Sequence, residues 1–323
     1  MQIYQFENIL KPVLWGGSKL TAFKQLPAND EPIGESWEIS AVPGRESIVA
    51  SGEDKGLTLT QLVQRYGASL VGEDVYRRYG DQFPLLVKFI DAKRDLSIQV
   101  HPNDEQAQQR HGCAGKTEMW YIIQADDDAL IRTGFNQVIT PEEYERRVEN
   151  NTILDVIHAT PSSAGKTFFI PAGQIHAIGA GNLLAEIQQS SDITYRVYDY
   201  DRRDANGNPR ELHTRQAREV LNYDVIDSVV HYEPLPSPAV TPLVHCPKFN
   251  VDRVDFEDGY SMVMQQPHSF VVMMCLMGET VVTADGMEPV HVHAGQTVLV
   301  PAVVNRIELA GKAQLLTAMV PEI

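Results

Sequence analysis

The chain has 323 residues, with 27 lysines and arginines against 43 aspartates and glutamates, so its formal net charge is −16. Hydrophobic residues make up 43% of the sequence and charged residues 22%, a composition typical of a globular protein of about two domains. This acidity, without any basic cluster, argues against a nucleic-acid partner.

The sequence also argues against a membrane or secreted protein. It contains no run of roughly 18 apolar residues and no N-terminal basic segment followed by an apolar stretch, so we expect neither a membrane-spanning helix nor a signal peptide. The cysteines Cys113, Cys246 and Cys275 are scattered, and none belongs to a Cys-x-x-Cys motif. This usage argues against a disulfide framework and favours a cytoplasmic location.

Short runs of alternating apolar and polar residues, separated by glycine, proline, asparagine and aspartate, are typical of an all-β sandwich or barrel. Predicted strands lie at residues 36–42, 118–123, 167–170, 183–188, 271–277, 280–282 and 297–300. Helical spacing predicts a few peripheral helices, at residues 59–66, 74–79 and 214–221. Another helix is predicted to begin after Thr140, because Pro141 and Glu143 complete the pattern of a capped helix start.

A proline-rich segment at residues 232–242 holds four prolines in eleven residues. Such a segment cannot form a central strand or the interior of a helix. It predicts a connector between a catalytic domain, residues 1–235, and a small C-terminal β domain, residues 236–323. The alternative interpretation is an irregular loop within one domain.

Two segments, residues 165–178 and 295–308, resemble each other in sequence. Glycine and proline recur in them at the same spacing, at Gly165, Pro171, Gly295 and Pro301. The match predicts a duplicated β module. His176 of the first segment lies opposite Arg306 of the second, so only the first copy carries the histidine. We therefore expect the functional site in the first copy and a structural role for the second.

The first copy follows a pattern of glycine, five residues, proline, one residue, glycine, two residues and histidine. The residues that fit this pattern are Gly165, Pro171, Gly173 and His176. A turn of proline and glycine fixes the backbone, and the period of two along a strand points the imidazole inward. The pattern resembles the second motif of the cupins, small jelly-roll barrels in which this histidine binds a metal ion.

Further candidate metal ligands lie upstream of His176. Gln99 and His101 are two residues apart, so on a strand they face the same side. Glu118 opens a predicted strand 17 residues after His101. Two imidazole nitrogens, one carboxylate oxygen and an optional amide oxygen suit Zn²⁺ with an open coordination position, and Fe²⁺ tolerates two histidines and a carboxylate as well.

Three longer stretches carry a more specific resemblance. They are PLLVKFIDAKRDLSIQVHPND at residues 84–104, GKTEMWYII at 115–123 and GQIHAIGAGNLLAEIQQSSDITYRVYDYDR at 173–202. Together with LKPVLWGG and EPIGESWEIS near the N-terminus, they resemble segments of the type I mannose-6-phosphate isomerases, in the short bacterial form. The resemblance implies two cupin-like jelly-roll modules. It also implies a zinc-dependent aldose–ketose isomerase that interconverts mannose 6-phosphate and fructose 6-phosphate through an enediol intermediate.

The resemblance assigns roles to individual positions. It implies one Zn²⁺ per chain, with ligands at Gln99, His101, Glu118 and His176. Whether Gln99 ligates the metal or only hydrogen-bonds stays open. The catalytic residues that it implies are Arg196, Glu186 and Lys116. Glu186 is the candidate base, with Lys116 or a zinc-bound water as alternatives. The side chains expected to bind the sugar phosphate are Ser97, Lys88, Lys116 and Arg196.

Two other functions remain open from the sequence. One is a cupin oxygenase or decarboxylase that uses Fe²⁺ or Mn²⁺, and the other is a non-catalytic protein that binds a sugar phosphate. The nucleotide-binding patterns GxGxxG and GxxxxGK[ST] are absent, so no redox nucleotide is expected. The expected partner is a small sugar phosphate, and the sequence does not indicate an oligomeric state.

Overall fold

The computed structural model describes residues 1–27, 31–203, 207–263 and 268–322. Within these ranges the chain is mostly β, as the sequence predicts, and three antiparallel sheets form its framework. The strands in chain order are β1 (Ile9–Gly17), β2 (Ile33–Ile39), β3 (Leu85–Ala92), β4 (Ile98–Val100), β5 (Glu118–Ala125), β6 (Leu130–Phe135), β7 (Ile157–Pro161), β8 (Thr167–Ile170), β9 (His176–Ile178), β10 (Asn182–Gln189), β11 (Tyr195–Tyr198), β12 (Val229–Val230), β13 (Ala239–His245), β14 (Asn250–Phe256), β15 (Tyr260–Val263), β16 (Val271–Ala284), β17 (Val290–His293), β18 (Thr297–Val300) and β19 (Arg306–Met319).

The helices are short and lie at the periphery of the sheets. In the part of the chain that the structure describes they are α1 (Lys19–Phe23), α2 (Leu59–Tyr66), α3 (Ala68–Val71), α4 (Glu73–Tyr79), α5 (Asp104–His111), α6 (Pro141–Glu149) and α7 (Thr214–Val220), with a 3-10 turn at Ile153–Val156. Among the described helices, none has the length and apolar character needed to cross a membrane.

Two of the sheets pack face to face as a sandwich. The first has the strand order β1-β2-β3-β10-β5-β8-β12, and the second has the order β11-β4-β9-β6-β7. Their facing sides share an apolar core, in which Ile90 and Trp120 of the first sheet cluster with Ile131 and Ile178 of the second. Side chains that point into the space between the sheets therefore alternate with outward ones along each strand.

The central strands β3 and β10 are buried on both faces. Burial on both sides favours nearly continuous apolar sequence, which explains the runs LLVKFIDA and NLLAEIQQ. Leu85, Val87 and Phe89 of β3 pack in a core shared with the third sheet. Lys88 lies between Val87 and Phe89 and faces the opposite way, so this lysine points into the sandwich.

The third sheet is built from β13 to β19 and packs against the first. The ring centroids of Phe83 and Phe270 lie 4.4 Å apart, and the backbone of Tyr4 pairs with that of Leu299 on β18. The N-terminal segment therefore packs partly with the C-terminal sheet, and the two parts of the molecule share one apolar core. The proposed boundary between residues 235 and 236 stays a prediction.

The predicted helices agree closely with the structure. α2 has the predicted bounds, α4 begins one residue earlier, and α7 ends one residue earlier. The Thr140 hydroxyl accepts a hydrogen bond from the backbone N–H of Glu143 at 3.2 Å, as the capping pattern predicts. The pattern does not predict α5, because Ala107 alone is buried in this helix and no apolar face marks it.

The predicted strands differ from the observed ones in two places. The first predicted strand, residues 36–42, is displaced, because β2 spans Ile33–Ile39. Residues 271–277 and 280–282 belong to one strand, β16, in which Gly278 has a φ of 74° and the register shifts between Cys275 and Met277. This bulge bends the strand without ending it, whereas a glycine in the sequence alone indicates a break.

The proline-rich segment leads into β13, which begins at Ala239 and contains Pro242. β13 is an edge strand, and its register with β14 shifts after Pro242. An edge strand tolerates proline because the missing N–H faces no neighbouring strand. The exclusion of a central strand is therefore confirmed.

Candidate metal centre

Three candidate metal ligands lie at strand ends between the two sheets of the sandwich. His101 directly follows β4 and His176 opens β9, both in the second sheet, while Glu118 opens β5 in the first. All three are buried, with 1%, 0% and 0% of the residue exposed for His101, His176 and Glu118. Gln99 of β4 pairs directly with His176 of β9, so the strand register brings the fourth candidate ligand to the same place.

The donor atoms of this cluster converge on one point. The two imidazole Nε2 atoms lie 3.1 Å apart, and the Nε2 of His176 lies 3.2 Å from Oε1 of Glu118. The Nε2 of His101 lies 3.7 Å from the other carboxylate oxygen. Two histidines and one carboxylate within such distances form a group that can hold a metal ion.

Hydrogen bonds on the far side of each ring set the tautomers of the two histidines. Nδ1 of His101 donates to the carbonyl oxygen of Ile193 at 2.7 Å, and Nδ1 of His176 donates to that of Gln174 at 2.8 Å. A carbonyl oxygen only accepts, so each Nδ1 carries the proton and each Nε2 turns its lone pair to the cluster. This arrangement is typical of histidines that bind metals.

The charge state of the cluster also fits a cation. Burial, reinforced by the charge of Lys116, holds the pKa of His101 well below its usual range and lowers the pKa of His176 to about 3. Burial raises the pKa of Glu118 to about 7, although Lys116 opposes this shift. Oε1 of Glu118 is buried and has no hydrogen-bond partner. Neutral imidazoles and an orphaned carboxylate oxygen are the donors that a divalent transition metal satisfies.

Lys116 and Gln99 connect this cluster to an open cavity. The Lys116 ammonium contacts Oε2 of Glu118 and lies 3.1 Å from Nε2 of His101. The amide nitrogen of Gln99 lies 3.3 Å from Nε2 of His176. Rotation of this amide by a half turn would present its oxygen to the cluster instead. The role of Gln99 as a ligand stays a prediction.

The cavity has a volume of about 620 Å³ and is lined largely by polar and charged side chains. Six of the nine predicted site residues line it, and the other three form the buried cluster. The six are Lys88, Ser97, Gln99, Lys116, Glu186 and Arg196. The structure therefore brings all nine residues together, while their individual roles stay predictions. A larger groove of about 1030 Å³, bordered by Lys166, Tyr232 and Arg253, contains none of them.

Glu186 is held by two donors and forms a buried ion pair. Its Oε2 accepts from Nζ of Lys88 at 2.7 Å, and its Oε1 accepts from the indole N–H of Trp120 at 3.0 Å. These partners are its direct neighbours across β3 and β5. Burial alone would raise the pKa of Glu186, but Lys88 and Lys116 lower it to about 2. Glu186 is therefore ionised at neutral pH and is a weak base.

Arg196 lies at the cationic end of the cavity, on β11. Its Nη1 donates to the carbonyl oxygen of Glu211 at 2.9 Å, while its buried Nε has no partner. Burial, together with the nearby charge of Arg210, lowers the pKa of Arg196. Arg202 and Arg210 both bind the carboxylate of Asp199, and Arg210 also lines the cavity.

The sequence reasoning did not single out the arginines at positions 202 and 210. Arg202 is the last residue of the stretch at 173–202 that carries the family resemblance. This position is the feature of the sequence that could have identified it. Three arginines against the carboxylates of Asp199 and Glu211 leave an excess of positive charge, which favours an anionic ligand.

The fold and the site define a cupin-type β protein with a buried cluster of two histidines and one glutamate that can hold a metal ion. Two family models match the chain. The model described as phosphomannose isomerase type I, catalytic domain, matches residues 3–126. The model described as mannose-6-phosphate isomerase, cupin domain, matches residues 239–320.

Relatives match the chain over nearly its whole length. The mannose-6-phosphate isomerase ManA of Bacillus subtilis is 36% identical over 318 residues, 97% of this chain and 97% of that protein. The mannose-6-phosphate isomerase of Streptococcus mutans is 33% identical, with 94% of each chain covered. The crystal structure of the mannose 6-phosphate isomerase from Bacillus subtilis matches with a TM-score of 0.88 at 31% identity, covering 98% of this chain and 99% of that one. The chain belongs to the type I mannose-6-phosphate isomerase family.

Proposed function

We propose that this protein is a zinc-dependent mannose-6-phosphate isomerase, which interconverts mannose 6-phosphate and fructose 6-phosphate through an enediol. The observation that carries the proposal is the buried cluster of His101, Glu118 and His176 beside a cavity with cationic walls. Relatives of similar length that carry the name of this activity support it.

Zinc is the metal that we assign to the cluster, one ion per chain. The separations of 3.1 Å between the two Nε2 atoms and 3.2 Å between His176 and Glu118 fit a small divalent cation, and two imidazoles with a carboxylate are donors that Zn²⁺ prefers. Gln99 is the fourth proposed ligand, through its amide oxygen. When bound, the ion supplies a Lewis acid that polarises a sugar oxygen.

The residues of the cavity wall are assigned to the sugar phosphate. A phosphate dianion needs local cations, because the chain carries a formal charge of −16. The Arg196 guanidinium is the proposed phosphate donor, with the Ser97 hydroxyl and the Lys116 side chain in the same cavity. Lys88 has two of its three N–H donors on Glu186 and Gln188, so one remains for a sugar oxygen.

The reaction requires a proton to move between two carbons. A base takes the proton from C2 of the aldose, the oxygen on C1 gains a proton, the hydroxyl on C2 loses one, and C1 receives a proton. Glu186 and Lys116 both line the cavity. The pKa of Glu186, near 2, makes it a weak base. We therefore assign the proton transfer to Lys116, which takes the C2 proton through the lone pair of its neutral amine, and we assign to Glu186 the role of holding Lys88 in place.

The test is an assay of fructose 6-phosphate formation from mannose 6-phosphate, with the metal content of the protein measured in parallel. We expect about one zinc per chain, loss of activity in chelator and recovery on addition of Zn²⁺. Undiminished turnover by metal-free protein would contradict the zinc assignment. Binding of mannose 6-phosphate without turnover would favour a binding protein, and oxygen consumption by the iron or manganese form would favour an oxygenase.

The proposed compartment is the cytoplasm. The free thiols of Cys113, Cys246 and Cys275 support a reducing environment. The proposed partner is the small sugar phosphate, and no nucleic acid or membrane partner is part of the proposal.

A further inference from the structure

A carboxylate outside the cavity links the metal centre to the C-terminal sheet. Asp104 opens α5, three residues after His101. Its Oδ1 accepts two hydrogen bonds of 2.8 Å, one from the backbone N–H of Gly115 and one from the side-chain amide of Gln189. Its Oδ2 accepts from the ammonium of Lys248, which lies in the turn between β13 and β14.

The partners of Asp104 form hydrogen bonds with the segment that carries Glu118, or belong to it. The side-chain oxygen of Gln189 accepts from the backbone N–H of Thr117 at 3.0 Å, and the backbone N–H of Gln189 donates to the carbonyl oxygen of Thr117 at 3.1 Å. Gly115 and Thr117 flank Lys116 and lie within three residues of Glu118. Asp104 therefore fixes the backbone on which the carboxylate ligand is mounted.

The same network reaches the turn that carries His176. The Thr117 hydroxyl accepts from the backbone N–H of Ala172 at 3.2 Å. The backbone N–H of Gly173 donates to the carbonyl oxygen of His101 at 2.8 Å. The three segments that supply His101, Glu118 and His176 are thus joined to one another by hydrogen bonds.

We propose that Lys248 of the C-terminal sheet is a positioning residue for the metal centre and acts through Asp104. This inference rests on the metal site of the proposed function. About 45% of the Asp104 side chain and 33% of the Lys248 side chain are exposed. Without the lysine, water competes for the Asp104 carboxylate, and the hydrogen bond to Gly115 loses its fixed acceptor.

Metal affinity should change because a metal site tolerates only small displacements of its ligands. Ligands must be held within about 0.5 Å of their productive positions by their surroundings. Loss of an outer partner that orients a ligand costs about 10-fold to 100-fold in metal affinity. Lys248 lies further out and reaches Glu118 only through Asp104 and the backbone of residues 115–117, so we expect a smaller loss of about 3-fold to 10-fold.

The experiment compares Lys248→Met with Lys312→Met. Lys312 belongs to the same sheet and pairs with Glu257 at 2.9 Å on the surface, so it is a matched control. One measurement is zinc affinity by chelator competition. The other is hydrogen exchange of the Gly115 and Thr117 amides in metal-free protein, which reports local opening of this segment.

We expect K248M to weaken zinc binding about 3-fold to 10-fold and to accelerate both amides, with K312M unchanged. K248R and wild type should agree, because the cation is kept. Asp104→Asn keeps the acceptor oxygen but removes the charge, so D104N should reproduce K248M, and the double variant should add little.

Unchanged exchange at Gly115 and Thr117 in K248M would overturn the proposal, and so would an equal loss of zinc affinity in K312M. The two hypotheses fail separately. If wild-type protein binds no zinc, the proposed function is wrong, while hydrogen exchange in metal-free protein still decides whether Lys248 fixes the segment.

Discussion

The two copies of the glycine–proline motif begin alike, with a glycine of positive φ and a short strand, and lead to different surroundings. Gly165 and Gly295 both have a φ of 86°, and each precedes a four-residue strand, β8 or β18. The next strand opens with His176 in the first copy and with Arg306 in the second. His176 is fully buried in the cluster with His101 and Glu118, whereas 57% of the Arg306 side chain is exposed beside Glu308.

The two turns contact different parts of the molecule, and this explains why His176 is buried and Arg306 is exposed. In the first copy the Gly173 carbonyl accepts from the backbone N–H of Asn222, just after α7, and the Gly173 N–H donates to the carbonyl oxygen of His101. In the second copy the backbone N–H of Ala302 donates to the carbonyl oxygen of Leu70 in α3. The second turn therefore docks onto the first part of the molecule. A shared backbone motif defines a position for a side chain, and the residue there decides its chemistry.

The comparison predicts its largest effect at His176. Replacing it by alanine removes one of three metal donors, so we expect loss of bound zinc and a fall in kcat/KM of at least about 10³-fold. Metal analysis and the isomerase assay check this together. His231→Ala is the control, because 81% of that side chain is exposed. Stoichiometric zinc in H176A would remove His176 from the ligand set.

Replacing Arg196 tests whether the cationic end of the cavity contributes to kcat/KM without contributing to metal binding. Arg196→Ala should retain zinc but lose about 10²-fold to 10³-fold in kcat/KM, because a preorganised donor to an anion is removed. Arg306→Ala, the matched change in the second copy, should leave activity unchanged. Wild-type kinetics in R196A would discard the phosphate assignment.

Replacing Glu186 tests whether this residue is the general base or only the ion-pair partner of Lys88. If Glu186 only fixes Lys88, Glu186→Gln should reduce kcat by less than about 10²-fold, whereas loss of a general base costs about 10²-fold to 10⁴-fold. A fall in kcat of more than about 10²-fold would transfer the role of base from Lys116 to Glu186.

The difference in unfolding free energy between wild type and E186Q should depend on pH. The pKa of Glu186 is lowered from 4.5 to about 2 by Lys88 and Lys116 against the effect of burial, so its charge stabilises the fold above pH 4.5. This contribution is lost as the pH falls towards 2. The difference in unfolding free energy between wild type and E186Q, measured by urea titration in chelator, should therefore shrink over that window. A difference independent of pH would contradict the ion pair.

The smallest predicted effect concerns the turn itself. Gly173 has a φ of 88°, and an added Cβ would lie 2.9 Å from the carbonyl oxygen of Val220. Gly173→Val, which copies Val303 of the second turn, should cost about 1–3 kcal/mol of unfolding free energy. Val303→Gly on the exposed second turn should cost less than about 1 kcal/mol. Equal costs in urea titrations would show that the two turns are under the same constraint.

The sequence predicted the parts of the site that depend on local spacing. A histidine after the turn, two same-side residues at the end of β4 and a carboxylate at the start of β5 are each set by the period of a strand or by turn chemistry, which act over a few residues. The capped helix start at Thr140 has the same local origin. α5 escaped prediction because its helix is nearly all polar, and its start is marked only by the capping residues Asn103 and Gln106.

The sequence by itself therefore determined the β class, the duplicated turn and the kinds of side chain that meet at the centre. Only the tertiary structure decided which charges neutralise one another. Glu186 pairs with Lys88 because β10 and β3 adopt one register, and Asp104 meets Lys248 because the third sheet packs beside the sandwich. Such partners lie far apart in the chain, and burial in a shared core, not local propensity, brings them together.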